Sequence, residues 1–251
     1  MSFDVHILGV GDTFSEFHHP TSLLLERDGF FLAIDCPDMY RRVLRDAREV
    51  SGRPLDLRHI DHMLITHVHG DHMNGLEGVG FFKHFAQNKA LSLVASAEVR
   101  EDLWERRLAA SMGQLWTGEA MKPMHFEDYF DFTSLPWDAP LKVGPFSITS
   151  RRTKHHVTTS ALRIEAGGVT LGYSADTAFD PELIAWLSDA DLIIHETNLG
   201  PSHTLYRQLA DLPAELRSKM RLVHYPDGFE KIDSKVELAR QGDVLSVGAT
   251  L

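Results

Sequence analysis

The stretch from Met63 to Leu76 reads MLITHVHGDHMNGL, and the interpretation of the whole chain starts there. A short apolar run of strand type leads into an H-x-H-x-D-H motif made of His67, His69, Asp71 and His72. Alternation along an extended backbone puts the first two histidines on the same side, and the neighbouring glycines let the chain bend so that the other two side chains curl around a turn. Several side chains can therefore reach one point, which chelation of a metal ion requires. Two adjacent metal positions are predicted.

The donor atoms of this motif are nitrogen and oxygen, with no thiolate nearby. Such a set favours Zn²⁺, with Mn²⁺ or Fe as alternatives, and we expect two divalent metal ions per chain. The competing interpretation is a solvated loop rich in histidine. Three histidines and an aspartate at this spacing, directly after a strand, argue against it.

These residues resemble the first metal-binding motif of the metallo-β-lactamase superfamily of di-metal hydrolases, and the resemblance extends over most of the chain. It implies an α/β fold, a four-layered αβ/βα sandwich, with the metals at the upper edge of two facing sheets. Asp35 ends a strand-like run and resembles the superfamily residue that holds a ligand histidine. A length of 251 residues fits a single domain, residues 1–251.

The composition of the chain narrows the functions it can have. Hydrophobic residues make up 43% and charged residues 24%, as in ordinary globular proteins. The net charge of −11 disfavours long nucleic acid as a ligand, because an acidic surface repels phosphates. No apolar run reaches the length of a membrane span, and the first residues lack the features of a secretory signal. Together with the single cysteine, Cys36, these features predict a cytoplasmic protein without membrane contact.

Three later strand ends carry further candidate ligands. His155 and His156 follow one strand-like run, and the resemblance to the third metal motif of the ribonuclease Z branch, which processes transfer-RNA 3′ ends, makes His155 the ligand; a slip of one residue would exchange them. Asp176 and His224 end two other runs and resemble the bridging carboxylate and the final histidine ligand, although Asp176 in isolation could also cap the helix that begins near Pro181. The resemblance thus implies one metal site of His67, His69, His155 and Asp176, and a second of Asp71, His72, His224 and the same Asp176.

Another strand-like run ends in His195 and Glu196. It resembles the H-E-A-T segment of the ribonuclease Z branch, which implies that His195 is a general acid held by Glu196, although Thr197-Asn198 stands where Ala-Thr would follow. His203 resembles a histidine of a later motif of that branch and is the next candidate donor. Two dications would lower the pKa of a shared water toward neutrality, and Asp71 would orient this water and accept its proton.

The substrate is inferred from the spacing of the motifs. The ribonuclease Z family carries a long RNA-binding arm between the third metal histidine and the bridging aspartate, and the interval from His155 to Asp176 is too short for one. The resemblance therefore implies hydrolysis of a small phosphodiester, in first place a 3′,5′-cyclic nucleotide opened to the nucleoside monophosphate by a metal-bound hydroxide. The alternatives are a cyclic ribose phosphate phosphodiesterase, a ribonuclease Z-like RNA endonuclease and a glyoxalase II-like thioester or lactone hydrolase. A structural subunit without catalysis is disfavoured, because every ligand position is filled.

Periodicity predicts several elements that bear on this function. Helices are expected over Pro37–Val50 and Glu98–Trp116. The apolar stripe of the second helix is predicted to be core or a subunit contact. We also expect a homodimer. Val236–Leu245 is predicted to form a helix and a strand. The irregular, aromatic segment Thr117–Trp137 is predicted to be a lid or a partner contact in preference to plain core packing, and as a lid it would close on the base of the substrate.

Overall fold

The computed structural model describes residues 2–248, and two β-sheets of seven and six strands form its centre. The strands are β1 (Phe3–Gly9), β2 (Ser22–Arg27), β3 (Phe30–Ile34), β4 (His62–Leu64), β5 (Leu91–Ala95), β6 (Gln114–Trp116), β7 (Met121–Pro123), β8 (Phe130–Ser134), β9 (Pro140–Val143), β10 (Phe146–Arg152), β11 (Ser160–Ala166), β12 (Val169–Tyr173), β13 (Leu192–Glu196), β14 (Met220–Val223) and β15 (Val244–Val247). The first sheet has the order β15-β1-β2-β3-β4-β5-β8 and the second β14-β13-β12-β11-β10-β9, while β6 and β7 form a separate hairpin.

Helices cover the outer faces of both sheets. They are α1 (Tyr40–Ser51), α2 (Gly70–Met73), α3 (Leu76–Phe81), α4 (Ala97–Leu103), α5 (Ala109–Met112), α6 (Pro181–Leu187), α7 (Tyr206–Ala210) and α8 (Ala214–Ser218). The segments Phe82–Ala86 and Trp104–Leu108 are π-helical turns that continue α3 and α4. No helix within residues 2–248 combines the length and the apolar character needed to cross a membrane.

Three buried apolar clusters fill the spaces between the layers. Strand alternation distributes the side chains among them: Leu23 and Leu25 of β2 lie in the cluster between the sheets, while Leu24 lies in the cluster beneath α1, α3 and α4. In the second sheet, Ile194 lies between the sheets and Ile193 packs against α6 and α7. The succession helix, sheet, sheet, helix confirms the predicted four-layered αβ/βα sandwich.

The strand directions determine where polar side chains can converge. In the first sheet β3, β4 and β5 are parallel, and in the second sheet β12, β13 and β14 are parallel. β10 has the same direction as β12, because each is antiparallel to β11. The carboxyl ends of these strands therefore meet at one edge of the sandwich, and the candidate site residues follow those ends.

Three non-glycine residues at this edge have a left-handed backbone. Asp35, Ala175 and His224 follow β3, β12 and β14 with φ angles of 64°, 47° and 59°. This conformation costs on the order of 1–2 kcal/mol for a residue with a Cβ atom. The chain thus accepts local strain at three strand ends that border the candidate site.

Two predicted elements differ from the structure. The first helix begins at Tyr40 and not at Pro37, because Met39 adopts a left-handed conformation (φ 56°) immediately before it. The predicted helix after Val236 does not form; Leu238 makes an isolated bridge to Leu222, and the chain then pairs β15 with β1. The apolar stripe of the Glu98–Trp116 region is largely core, as one of its two alternatives predicted.

The aromatic segment Thr117–Trp137 does not form a lid. Phe126, Tyr129 and Phe130 are buried in the cluster between the first sheet and its helices. The hydroxyl of Tyr129 donates to the carbonyl of Met112, at the end of α5. Because β8 runs parallel to β5, this contact lies at the amino ends of the strands, which is the edge opposite the candidate site. The prediction that these three aromatic side chains close on the substrate is therefore wrong.

Candidate metal and catalytic site

Four residues from three strand ends form a first group of donor atoms. They are His67, His69, His155 and Asp176, and their donor atoms all lie within 4.8 Å of one another. Nδ1 of His69 lies 3.1 Å from Nε2 of His67 and 3.3 Å from Nε2 of His155. Oδ2 of Asp176 faces the same two Nε2 atoms at 3.6 and 3.8 Å. The loop after β4 thus meets residues of the second sheet at one point.

A second group of donors lies directly beside the first. Asp71, His72 and His224 contribute atoms that also lie within 4.8 Å of one another. Oδ2 of Asp71 is 3.4 Å from Nε2 of His224 and 3.6 Å from Nε2 of His72. Asp176 links the groups, because Oδ1 lies 3.5 Å from Nε2 of His72 and Oδ2 lies 3.5 Å from Nε2 of His224. All seven candidate ligands therefore come together around one shared carboxylate.

The separations between donor atoms fit coordination of cations. Four ligands arranged tetrahedrally at about 2.0–2.1 Å from one ion lie about 3.3 Å from each other. The separations within the first group run from 3.1 to 3.8 Å. In addition, Nε2 of His72 is buried and has no hydrogen-bond partner within residues 2–248. A buried ring nitrogen between two carboxylates is costly unless something binds it, so the residues fit two divalent cations that share Asp176.

Two of these imidazole rings, those of His72 and His155, are held by hydrogen bonds from Nδ1, the nitrogen that does not face the donor groups. Nδ1 of His72 donates to the buried carboxylate of Asp35 at 2.8 Å, and the same carboxylate accepts hydrogen bonds from the backbone N–H and the hydroxyl of Thr66. Nδ1 of His155 donates to the carbonyl of Ser202 at 3.1 Å. In both rings Nε2 is left free to face the donor group.

Burial and neighbouring charges shift the pKa values of the clustered groups. Burial, helped by the adjacent imidazoles, lowers the pKa of His67 well below its usual value, which keeps the ring neutral as a metal ligand must be. Burial also opposes protonation of His72, but the carboxylates of Asp176 and Asp35 outweigh it and raise the pKa of His72 to about 10. The carboxylates around His72 therefore favour positive charge at the site, and a divalent cation would supply it.

His155 and His156 have different surroundings. The side chain of His155 is fully buried and belongs to the first donor group. His156 is exposed, and its ring centroid lies 4.6 Å from that of His69 without joining a donor group among the described residues. This arrangement favours His155 as the ligand.

His195 lies outside the donor groups. Its ring is buried, and Nδ1 donates to the carbonyl of Glu196 at 2.7 Å; burial lowers the pKa of His195 to about 4. Neighbouring side chains of a strand point to opposite faces, so the Glu196 carboxylate is directed away from this ring. The expected contact between the side chains of His195 and Glu196 is therefore absent from the described structure, and the expectation is corrected.

The carboxylate of Glu196 contacts His203 instead. Oε1 of Glu196 lies 3.0 Å from Nδ1 of His203 and accepts a hydrogen bond from the backbone N–H of Thr177. A nitrogen of His203 also lies within 4.8 Å of donor atoms of Asp176 and His224. Burial lowers the pKa of His203, but the Glu196 carboxylate outweighs burial and raises it. A histidine suited to carry a proton thus lies beside the shared carboxylate.

Asn198 is a site residue that had no role in the sequence-based assignment. Its Nδ2 lies 3.4 Å from Nδ1 of His224 and donates to the carboxylate of Asp12 at 2.9 Å. The departure of Thr197-Asn198 from the Ala-Thr of the related motif was the signal that could have identified it. Asp12 had no such signal, because it lies far from the other site residues in the chain.

Comparison with known proteins identifies a family that covers nearly the whole chain. The family described as Anti-Pycsar protein Apyc1 matches residues 3–245. The chain belongs to this family. A member from Saccharibacillus brassicae, named Anti-Pycsar protein Apyc1, is 29% identical over 253 residues, which are 97% of this chain and 100% of the relative.

Two more distant similarities concern activity and fold. The cAMP/cGMP-dependent 3′,5′-cAMP/cGMP phosphodiesterase B of Dictyostelium discoideum is 23% identical over 256 residues, covering 94% of this chain and 21% of that protein. The metallo-β-lactamase fold protein YhfI from Bacillus subtilis superposes with a TM-score of 0.77 at 20% identity, covering 98% of this chain and 100% of that one. The chain therefore has the metallo-β-lactamase fold that the motif around His67 predicted.

Proposed function

We propose that the protein is a metal-dependent phosphodiesterase that opens 3′,5′-cyclic nucleotides to nucleoside monophosphates. The observation that carries this proposal is the convergence of two donor groups on Asp176 beside the Glu196–His203 pair. That arrangement suits hydrolysis of a phosphodiester, which needs charge neutralisation, an activated water and a proton donor. Membership of the family, together with a relative named as a cAMP/cGMP phosphodiesterase, supports the cyclic nucleotide as substrate.

Seven residues are proposed to hold two divalent metal ions. When bound, the ions neutralise charge on the phosphate and lower the pKa of water. Zn²⁺ is the first choice, because imidazole nitrogens and carboxylate oxygens face the site without a thiolate. The proposed ligands are His67, His69, His155 and Asp176 for one ion, and Asp71, His72, His224 and Asp176 for the other.

Residues of the chain itself handle the protons of the reaction. Asp71 orients the attacking water and accepts its proton. The ribose oxygen that leaves phosphorus as an alkoxide needs a proton, and His203 donates it while Glu196 fixes the ring from the opposite nitrogen. His203 takes this role in place of His195, since His195 is buried away from the donor groups.

RNA is the less favoured substrate. β11 and β12 are joined by the tight turn at Gly167 and Gly168, so no RNA-binding arm is inserted between His155 and Asp176. The net charge of −11 also opposes binding of a long polyanion. The deciding experiment is a comparison of 3′,5′-cyclic nucleotides, a precursor transfer RNA and a thioester as substrates of the metal-loaded protein. Turnover of the transfer RNA or the thioester, with inert cyclic nucleotides, would overturn the proposal.

Three broader properties complete the proposal. A single domain over residues 1–251 is supported by the apolar cluster that both sheets share. A homodimer is supported by exposed apolar side chains such as Met39 and Phe85. A location in the cytoplasm is supported by the buried, unpaired Cys36, which suits a reducing compartment. Light scattering after size-exclusion chromatography measures the oligomeric state. Cell fractionation measures the location.

A further inference from the structure

Three large apolar side chains are exposed on two neighbouring loops. Phe14 and Phe17, in the loop between β1 and β2, are 88% and 76% exposed, and Leu199, in the loop after β13, is 72% exposed. Exposing a phenylalanine ring to water is unfavourable, and exposed apolar side chains on adjacent loops are typical of a surface that binds a ligand or another protein. We call these three residues the apolar rim.

One carboxylate connects the two loops of the apolar rim. Oδ1 of Asp12 accepts the backbone N–H of Phe14 at 2.9 Å, and Oδ2 accepts Nδ2 of Asn198, the residue before Leu199, at 2.9 Å. Asp12 itself is only 5% exposed, so this connection is shielded from water. Because Nδ2 of Asn198 also lies 3.4 Å from Nδ1 of His224, the rim is joined to the edge of the candidate metal site.

The first loop is fixed from its other side as well. Asp227 accepts hydrogen bonds from the hydroxyl of Ser15 and from the backbone N–H of Glu16. The ring of His18 packs edge-on against Tyr225, with centroids 5.7 Å apart. Asp227 and Tyr225 both follow closely after His224 in the chain, so these contacts also hold the loop beside the site. The exposure of Phe14 and Phe17 is therefore a property of an anchored loop.

We propose that the apolar rim binds the nucleobase of the substrate, with Phe14 or Phe17 stacked on the base and Leu199 against its edge. This inference rests on the proposed function. The donor groups are polar and suit only the phosphate, so a cyclic nucleotide held there leaves its base outside them and in need of an apolar surface. The aromatic side chains of Phe126, Tyr129 and Phe130 do not supply one, because they are buried in the core.

The test compares two substrates that differ only in the base. One is a 3′,5′-cyclic nucleotide, and the other is the 3′,5′-cyclic phosphate of methyl riboside, which has a methoxy group where the base would be. In Phe14→Ala and Phe17→Ala, kcat/KM for the cyclic nucleotide is expected to fall, with the larger effect about 5- to 150-fold, which corresponds to ~1–3 kcal/mol for stacking of one base. The base-free substrate is expected to react as in the parent protein, and Phe14→Tyr is expected to retain most of the activity.

Trp116→Ala is the matched control. Trp116 is a similarly exposed aromatic residue (65%) in the β6–β7 hairpin, which follows directly after the Met112–Tyr129 contact, and its loss is expected to change turnover of neither substrate. An inert parent protein would contradict the proposed phosphodiesterase function. A parent protein that hydrolyses cyclic nucleotides, with unchanged kcat/KM in both phenylalanine variants, would overturn the base-binding rim alone. Conversion of a dimer to a monomer with unchanged KM would assign the same surface to a second copy of the chain and would also overturn it.

The connection through Asp12 is tested by a double-mutant cycle. If Asp12 acts by placing Phe14, Asp12→Ala raises KM for the cyclic nucleotide, spares the base-free substrate and adds little to the effect of Phe14→Ala. Metal content measured by elemental analysis is expected to stay unchanged in all three variants. Equal losses on both substrates, or additive effects in the double variant, would show that Asp12 only supports the fold and would remove it from the proposal.

Discussion

The carboxylate of Glu196 lies 3.0 Å from Nδ1 of His203, although the two residues belong to different segments, the end of β13 and the loop that follows it. Glu196 is buried, and the backbone N–H of Thr177 holds the same oxygen. This contact fixes the tautomer and the orientation of His203 beside Asp176. His195 differs from His203 in this respect, because its Nδ1 donates to a backbone carbonyl and not to a carboxylate.

His203→Ala is therefore expected to lower kcat for a 3′,5′-cyclic nucleotide by about 10²–10⁴-fold, the usual contribution of a general acid. The same variant should retain activity on a p-nitrophenyl phosphodiester, because p-nitrophenolate departs without a proton. Steady-state rates on both substrates, with metal content measured alongside, check this. His195→Ala serves as the comparison: it should affect both substrates equally, through the fold. A selective loss in His195→Ala would restore the sequence-based assignment.

The two adjacent histidines at the end of β10 give a prediction on metal content. His155→Ala is expected to bind fewer metal ions per chain than the parent protein, because it removes one donor of the first group. His156→Ala is expected to retain both ions, since its exposed ring belongs to no donor group among the described residues. Elemental analysis of protein purified without chelator measures both variants. The reverse pattern would mean that His156 is the ligand.

Asp35 allows a test of the support behind the metal site. Asp35→Asn keeps the size of the side chain, and asparagine tolerates the left-handed backbone at this position (φ 64°). Loss of the charge that holds Nδ1 of His72 is expected to weaken metal binding by about 10–100-fold, as for other residues that orient ligands. Competition with a chelator measures the affinity.

A matched control for Asp35→Asn is available outside the site. Asp46 contacts Nε2 of His19 at 2.8 Å, so it is also an aspartate paired with a histidine, but it lies on α1. Asp46→Asn should leave metal affinity unchanged. An equal loss of affinity in both variants would point to a general effect of removing charge from an acidic protein.

The convergence of the candidate metal ligands could be predicted from the sequence because they follow strand-like runs, a local pattern that can be recognised without knowledge of the fold. The role of His203 could not, since it depends on how the loop after β13 folds back onto Glu196. Strand alternation, which places His67 and His69 on one side, also separates the side chains of His195 and Glu196. The aromatic residues of Thr117–Trp137 are ambiguous for another reason: composition alone does not distinguish core from lid, and only the fold shows that Phe126, Tyr129 and Phe130 are buried.

The interior of the first layer holds a charged group that no periodicity indicated. Lys83 lies in the π-helical turn after α3, and its side chain is fully buried. Its amino group donates to the carbonyl of Leu57, to the carboxylate of Asp61 and to the side chain of Gln87, at 2.8, 2.9 and 2.8 Å. Lys83 thus connects this turn to the segment that leads into β4, the strand that precedes the H-x-H-x-D-H motif.

Lys83→Met is expected to lower the free energy of unfolding by about 1–3 kcal/mol, because it removes the three hydrogen bonds that one buried amino group donates. Lys89 provides the control: it contacts the same carboxylate at 2.5 Å but is 38% exposed, so Lys89→Met should cost less than about 1 kcal/mol. Urea unfolding of both variants measures the difference, and turnover at a temperature where both are folded should stay close to that of the parent protein. A stability of Lys83→Met equal to that of Lys89→Met would show that methionine packing compensates for the lost hydrogen bonds, and that Lys83 does not anchor the segment before β4.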